Sequence, residues 1–232
     1  MTEKDIILKN LENINNNIEK ACIKANRSVD DIKIIGVTKT IDIKRINILK
    51  ELGIKTFGEN KAQELLEKYD NIKDVSWHFI GNLQTNKVKY IIDKVDLIHS
   101  VNSLKLLSEI NKRASYINKN MPILLEINIA NEKSKTGLLA QDLPYIIDEI
   151  ENFKNITLNG LMCVAPFVEN PQQNTQYFRK MRKLFIDISY KNKDNINMKY
   201  LSMGMTNDYH IAIEEGANMI RIGTGIFGKR NY

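Results

Sequence analysis

The chain has 232 residues, of which 43% are hydrophobic and 27% charged, so it can bury a substantial globular core. No stretch approaches the ~18 consecutive apolar residues of a membrane-spanning helix, and the first nine residues lack a signal-peptide core, which predicts a cytoplasmic protein without membrane association. The net charge is +6, but the lysines are interleaved with Glu and Asp, which predicts solvated helix faces and no nucleic-acid partner.

The predicted elements begin with an amphipathic helix, whose apolar face carries Ile7, Leu11, Ile14, Ile18 and Ala25 at spacings near 3.6 residues. From residue 33 onward, short apolar runs alternate with helical patterns. Strands are predicted at 33–38, 55–57, 76–80, 96–101, 123–129, 156–164, 199–202 and 219–222. Helices are predicted at 43–52, 60–68, 84–93, 103–118, 143–150, 171–190 and 207–215.

Eight strands separated by helices predict an α/β fold, a (β/α)8 TIM-type barrel with an extra N-terminal helix. An open doubly wound sheet is the alternative. No linker composition interrupts the chain, so we expect one domain over 1–232, with residues 1–28 preceding the first strand and covering the bottom of the barrel. Cys22 and Cys163, far apart in a cytoplasmic chain, are expected to be free thiols.

Functional groups of such barrels collect where strands end, at the carboxyl face. The loops after the seventh and eighth strands frequently bind phosphate, and here they contain Ser202, Gly223, Thr224 and Gly225. Glycines let backbone N–H groups approach an anion closely, and the hydroxyls add donors. This pattern predicts a phosphate site, although a Gly/Ser/Thr loop alone is weak evidence.

Lys39 directly follows the first predicted strand, which would place its amine in the barrel mouth. A surface lysine is the plain alternative reading of this position. To attack an aldehyde the amine must be neutral, and partial desolvation together with a nearby cation such as Arg221 would favour that form.

Several other motifs do not predict a functional site. Residues 223–228 spell G-x-G-x-x-G, but no second strand or acidic residue follows as the dinucleotide fingerprint requires. His78, His99 and His210 lack metal-ligand spacing, so no metal site is predicted. Ser202 has no nucleophile-elbow context, and His78 is interpreted as a packed polar side chain in preference to a base.

At these strand ends the sequence resembles the pyridoxal phosphate (PLP) homeostasis family, single-domain proteins related to the barrel half of alanine racemase. The matching stretches, in family order, are GVTK (36–39), FGEN (57–60), WHFIG (77–81), LQTNK (83–87), INI (127–129), KTG (135–137), GLM (160–162), LSMGMT (201–206), RIGT (221–224) and IFG (226–228). The resemblance implies PLP as the cofactor, held as a Schiff base, and a role in controlling free PLP and its delivery to PLP-accepting apo-enzymes.

The resemblance also implies which residues bind the cofactor. They are Lys39, Asn60, Ser202, Met203, Gly204, Arg221, Gly223 and Thr224. Lys39 is implied to carry the Schiff base and Arg221 to face the pyridine nitrogen. Ser202, Gly223 and Thr224 are implied to hold the phosphate, with Asn60 near the ring.

Efficient catalysis is not expected from this set. PLP enzymes that form carbanions pair the pyridine nitrogen with an acidic side chain, which keeps that nitrogen protonated. Arg221 is permanently charged and cannot accept that proton, so it cannot take the place of the acidic side chain. The chain ends four residues after Gly228, so we expect no second domain to supply a further base. We therefore predict a monomeric PLP carrier and no catalytic residue.

Two alternative functions remain at this stage. One is a weak amino-acid racemase that uses Lys39 and a base such as His78 or Tyr209. The other is a phosphate-binding barrel enzyme without PLP.

Overall fold

Eight parallel strands close into a barrel in sequence order, in a computed structural model that describes residues 1–191 and 193–228. The strands are β1 (Lys33–Val37), β2 (Thr56–Glu59), β3 (Ser76–Phe79), β4 (Leu97–Val101), β5 (Met121–Glu126), β6 (Ile156–Met162), β7 (Ile196–Ser202) and β8 (Met219–Ile222). The prediction of a (β/α)8 barrel is confirmed, and the open doubly wound sheet is wrong because β8 pairs with β1.

Helices precede and connect the strands. They are α1 (Glu3–Lys24), α2 (Ile43–Glu51), α3 (Ala62–Tyr69), α4 (Val88–Ile91), α5 (Leu104–Tyr116), α6 (Leu143–Glu149), α7 (Thr175–Ser189), α8 (Tyr209–Glu214) and α9 (Thr224–Phe227). The four-residue helix α9 was not predicted, because so short a turn gives no apolar periodicity.

The strands are apolar because the barrel buries both of their faces. Every residue of β4 and β8 is buried. Inward-facing side chains form a separate cluster inside the barrel, composed of Ile35, Leu97, Leu124, Met162 and Met219. The barrel is therefore a packed core, with room for a ligand only at its ends.

Strand β7 begins at Ile196, three residues earlier than predicted. Its first half alternates partly buried residues with the exposed Asn197 and Lys199, and this polar half concealed the strand in the sequence. Strand β5 ends at Glu126 instead of residue 129, since the backbone beyond it turns into the following loop.

The N-terminal helix α1 is secured at its start by Thr2 and Asp5, which form a capping box. Its buried face is the predicted one, except that Ala25 lies beyond the helix as its C-cap. The helix packs against α8, α9 and α2, along the side of the barrel. The expectation that it covers the bottom is wrong: α9 is too short to cover β8, and α1 takes the place of the missing long helix.

Cys22 and Cys163 are both buried free thiols, as predicted. Across the two described ranges, no helix is long and apolar enough to cross a membrane. No group of three or more His, Cys, Asp or Glu side chains in those ranges could hold a metal ion.

Candidate functional site

A cavity of about 490 Å³ opens at the carboxyl ends of the strands. Its walls come from the ends of β1 and β8 and from the loops that follow β5, β6, β7 and β8. The residues that line it are Val37, Lys39, Glu132, Lys135, Val164, Ala165, Pro166, Phe167, Val168, Pro171, Asn174, Met205, Thr206, Asn207, Asp208, Arg221, Gly223 and Thr224.

Lys39 lies two residues beyond the end of β1, and its half-buried side chain lines this cavity. Arg221, Gly223 and Thr224 line the same cavity. The structure thus brings together four of the eight residues predicted to bind the cofactor.

Two threonine hydroxyls meet where the loops after β7 and β8 approach each other. Thr224 Oγ1 lies 3.2 Å from Thr206 Oγ1, which also accepts a 3.1 Å hydrogen bond from the Gly225 N–H. Gly204 turns the chain before Thr206 with a φ of +91°, and a Cβ there would lie 2.6 Å from the Ala212 Cβ. Only glycine fits this turn, which directs Thr206 toward the cavity.

Arg221 is buried at the base of the cavity. Its Nη1 donates to the Ser202 carbonyl at 2.9 Å and to Ser202 Oγ at 2.6 Å, and its Nη2 donates to the Cys163 carbonyl at 2.8 Å. Burial lowers the pKa of the guanidinium, while Cys163, Asp208 and Glu126 oppose that change. Arg221 forms no ion pair with any described residue, so its charge is available to an acceptor group in the cavity.

A buried hydrogen-bond chain continues from Ser202 through the barrel interior. Ser202 Oγ lies 3.1 Å from His99 Nδ1, and His99 Nε2 lies 3.0 Å from His78 Nδ1. Arginine can only donate, so the Ser202 hydroxyl oxygen accepts from Arg221. The direction of the two contacts that involve imidazole nitrogens depends on the histidine tautomers.

Both histidines of this hydrogen-bond chain, His78 and His99, are held neutral. Burial, together with the smaller effect of the nearby Lys33 charge, lowers the pKa of His78 to about 3. Burial, His78 and Arg221 lower the pKa of His99 well below its usual range. The interpretation of His78 as a packed polar side chain therefore agrees with its burial, and the ring lies below the cavity lining.

The other four predicted residues do not line the cavity. Ser202 is fully buried beneath it, where it binds Arg221 and His99. Met203 is fully buried and Gly204 forms the turn above it. Asn60 packs against Gly81, and its buried Oδ1 has no hydrogen-bond partner.

Sequence reasoning missed Thr206, the hydroxyl that does line the cavity. Its signal was present in the LSMGMT stretch, where the glycine that allows a left-handed turn precedes Thr206 and follows Ser202. Lys135 and Asp208 were missed as well, and both are already partnered. Lys135 Nζ lies 2.6 Å from Glu132 Oε1, and Asp208 accepts from Asn174 Nδ2 at 2.9 Å.

This arrangement defines a class: (β/α)8 barrels that offer a mouth lysine, a buried arginine and a hydroxyl-rich loop pair to a phosphorylated ligand. The family model described as "Alanine racemase, N-terminal domain" matches residues 10–231. The chain is 42% identical over 217 residues to the pyridoxal phosphate homeostasis protein of Aquifex aeolicus, covering 93% of this chain and 94% of that one. The chain belongs to this family, in the group of pyridoxal phosphate homeostasis proteins.

Solved structures agree with this assignment. A structure described as an unknown protein from Bifidobacterium adolescentis superposes with a TM-score of 0.90 at 29% identity, covering 97% of this chain and 96% of that one. PipY of Synechococcus elongatus, solved with PLP bound, superposes with a TM-score of 0.82 at 25% identity, covering 96% of this chain and all of PipY.

Proposed function

We propose that this chain binds PLP in the cavity at the barrel mouth, links it covalently to Lys39, and serves PLP homeostasis and delivery without efficient catalysis. The observation that carries the proposal is that Lys39, Arg221 and Thr224 border one cavity. The family and the PLP-bound structure of PipY support the choice of ligand.

The cavity fits this cofactor in size and in the chemistry of its walls. Its volume of about 490 Å³ lies within the ~300–1,000 Å³ typical of small-molecule sites. A phosphate needs hydrogen-bond donors, which Thr206 and Thr224 supply, and Gly223 lets the backbone approach it closely. The amine of Lys39 and the guanidinium of Arg221 suit an anionic ligand.

The position of each residue indicates its proposed role in binding PLP. When bound, PLP supplies an aldehyde carbon, to which a lysine amine joins as a C=N link with release of one water. Lys39 is the residue proposed for this link. Thr206 takes the phosphate-binding role that the sequence assigned to Ser202, because Ser202 is already bonded to Arg221 and His99 beneath the cavity.

The absence of efficient catalysis rests on Arg221. A guanidinium remains protonated, so it donates to a ring nitrogen and does not protonate it, which makes the ring a weak electron sink. The two bases named for a weak racemase are also out of reach: His78 is buried below the cavity, and the Tyr209 hydroxyl accepts a 3.0 Å hydrogen bond from Asn17. We expect turnover with amino acids well below the ~1 s⁻¹ floor of ordinary enzymes.

Delivery to PLP-accepting apo-enzymes requires that PLP binding be reversible. We propose that the protein acts as a monomer, in which Lys39, Arg221 and Thr224 of one barrel border the cavity. A covalent link that reverses with water lets the ligand leave without destruction of the site.

A titration with PLP, followed by visible absorbance, tests the proposal. The wild-type protein should turn yellow and bind one equivalent, whereas Lys39→Ala should lose the visible band. Lys44→Ala, on the exposed side of α2, is the matched control and should behave as wild type. Wild-type absorbance without a protein-dependent band, or an unchanged band in Lys39→Ala, would refute the proposal.

A further inference from the structure

A buried group of charged side chains lies beside the turn that carries Lys39. We call it the Lys68 cluster, and it consists of Glu59 at the end of β2 and of Glu64 and Lys68 on α3. Lys68 is only 6% exposed. Its ammonium lies 2.7 Å from Glu59 Oε1 and 3.4 Å from Glu64 Oε2, so one cation bridges two carboxylates.

The cluster binds the residues on both sides of Lys39. Lys68 Nζ donates to the Thr38 carbonyl at 2.7 Å, and the Thr38 hydroxyl donates to Glu59 Oε1 at 2.6 Å. On the other side, the Thr40 N–H donates to Glu64 Oε2 at 2.8 Å. The backbone before and after Lys39 is therefore attached to the same three side chains.

The turn itself needs such support. Thr40 has a φ of +63°, in the left-handed region that a β-branched residue rarely adopts. Strained residues of this kind cost about 1–3 kcal/mol and persist where the surroundings determine them. Glu64 holds the Thr40 N–H in this conformation, and the Thr40 hydroxyl donates to the Lys39 carbonyl at 2.6 Å.

A buried ion pair is weak evidence of a stabilising role, since apolar packing of similar volume is often as stable. None of the three residues lines the cavity, so the cluster does not touch a ligand there. What its hydrogen bonds do fix is the conformation of residues 38 to 40.

We propose that the Lys68 cluster positions the Lys39 amine for attachment to its ligand by fixing Thr38 and Thr40. Its members are positioning residues, because they act through the backbone that carries Lys39. This inference rests on the proposed function, in which Lys39 forms the covalent link.

Comparing the binding of two ligands distinguishes a positioning role of the Lys68 cluster from a general disruption of the binding site. PLP carries the aldehyde that Lys39 takes up, whereas pyridoxine 5′-phosphate has an alcohol in its place and binds without a covalent link. The variant is Lys68→Met, which keeps the unbranched side chain up to the ε position and removes the charged amine. Lys73→Met, at an exposed lysine just beyond α3, is the matched control.

We expect Lys68→Met to slow the appearance of the visible PLP band at least tenfold, with the dissociation constant for pyridoxine 5′-phosphate unchanged within twofold. Lys73→Met should match wild type in both assays. An unchanged rate in Lys68→Met, or an equal loss of both ligands, would overturn the inference.

If Lys68→Met does not fold, the pair Thr38→Val and Thr38→Ser decides the question. Valine has the shape of threonine but no donor to Glu59, so Thr38→Val should slow the PLP reaction. Serine keeps the hydroxyl, so Thr38→Ser should react with PLP at the wild-type rate. Equal rates in the two variants would contradict the inference. Failure of the wild-type protein to form a covalent adduct would instead refute the proposed function.

Discussion

Ser202 and Thr206 belong to one short stretch of sequence, yet their hydroxyls face different parts of the barrel. Ser202 binds Arg221 and His99 in the interior, and Thr206 meets Thr224 at the cavity. The left-handed turn at Gly204 separates the two directions. A sequence shows that hydroxyls are present near a strand end, but not which of them the turn directs toward the ligand.

Removal of the two cavity hydroxyls should weaken PLP binding. A hydrogen bond to a charged group contributes about 1.5–3 kcal/mol, so Thr206→Val and Thr224→Val should each raise the dissociation constant roughly 10- to 100-fold. Titration by visible absorbance measures this effect. Thr157→Val, at the start of β6, is the control, since its hydroxyl bonds to Asn120 away from the cavity. Equal affinity in all three variants would exclude the threonines from the phosphate site.

Lys39 and Arg221 were predictable as single residues because each has a fixed place relative to its strand. Lys39 lies two residues beyond the end of β1, and Arg221 lies within β8 with its side chain directed inward. The Lys68 cluster was not predictable, because it depends on how α3 packs against the turn at residues 38–40.

At the scale of elements, a series of hydrogen bonds from Arg221 through Ser202 and His99 to His78 joins β8, β7, β4 and β3. Three hydrogen bonds join these strands in the barrel interior, and none of them was predicted from the sequence. The two histidines must remain neutral there. This requirement links the stability of the barrel to pH.

The protein should lose stability as the pH falls below about 6.5. The unfolded chain then takes up protons at His78 and His99, whereas the folded chain resists them because both pKa values are lowered. Each histidine contributes a slope of about 1.4 kcal/mol per pH unit below pH 6.5, and this contribution of His78 ends near its folded pKa of about 3. Above pH 6.5 neither histidine contributes a slope.

Urea unfolding at a series of pH values measures this dependence. His99→Gln should be less stable than wild type at pH 7, and its stability should fall less steeply between pH 6.5 and about 4. His210→Gln, on α8 and outside the buried chain, is the control and should keep the wild-type slope. A wild-type slope in His99→Gln would contradict the assignment.

Helix α1 shows what element-level prediction can and cannot supply. The apolar periodicity identified its buried face at Ile7, Leu11, Ile14 and Ile18. It could not identify the partner of that face, because the need for a substitute helix arises only when α9 proves to be four residues long. The same periodicity predicts the effect of substitutions along the helix.

Leu11→Ala should destabilise the protein by about 2–5 kcal/mol, because Leu11 is 4% exposed and its removal leaves a cavity between α1 and the barrel. Leu8→Ala is the matched control on the same helix, where the side chain is 42% exposed, and it should change stability by less than about 0.5 kcal/mol. Denaturant unfolding measures both. Equal effects at the two positions would show that α1 does not pack as described.

At the scale of the whole molecule, the alternation of strands and helices was sufficient to predict the barrel, because parallel strands need helical crossovers and bury both faces. Closure is what brings Lys39 at the end of β1 next to Arg221 and Thr224 on β8 and its loop, although they are far apart in sequence. The site therefore depends on the fold as a whole, and so does the account of PLP binding.

Borohydride reduction of the PLP-loaded protein, followed by peptide mass mapping, tests that account most directly. The predicted result is one pyridoxyl group on Lys39 and none on Lys135, an amine that lines the same cavity but is paired with Glu132. A pyridoxyl group on Lys135 in place of Lys39, or no modified peptide at all, would contradict it.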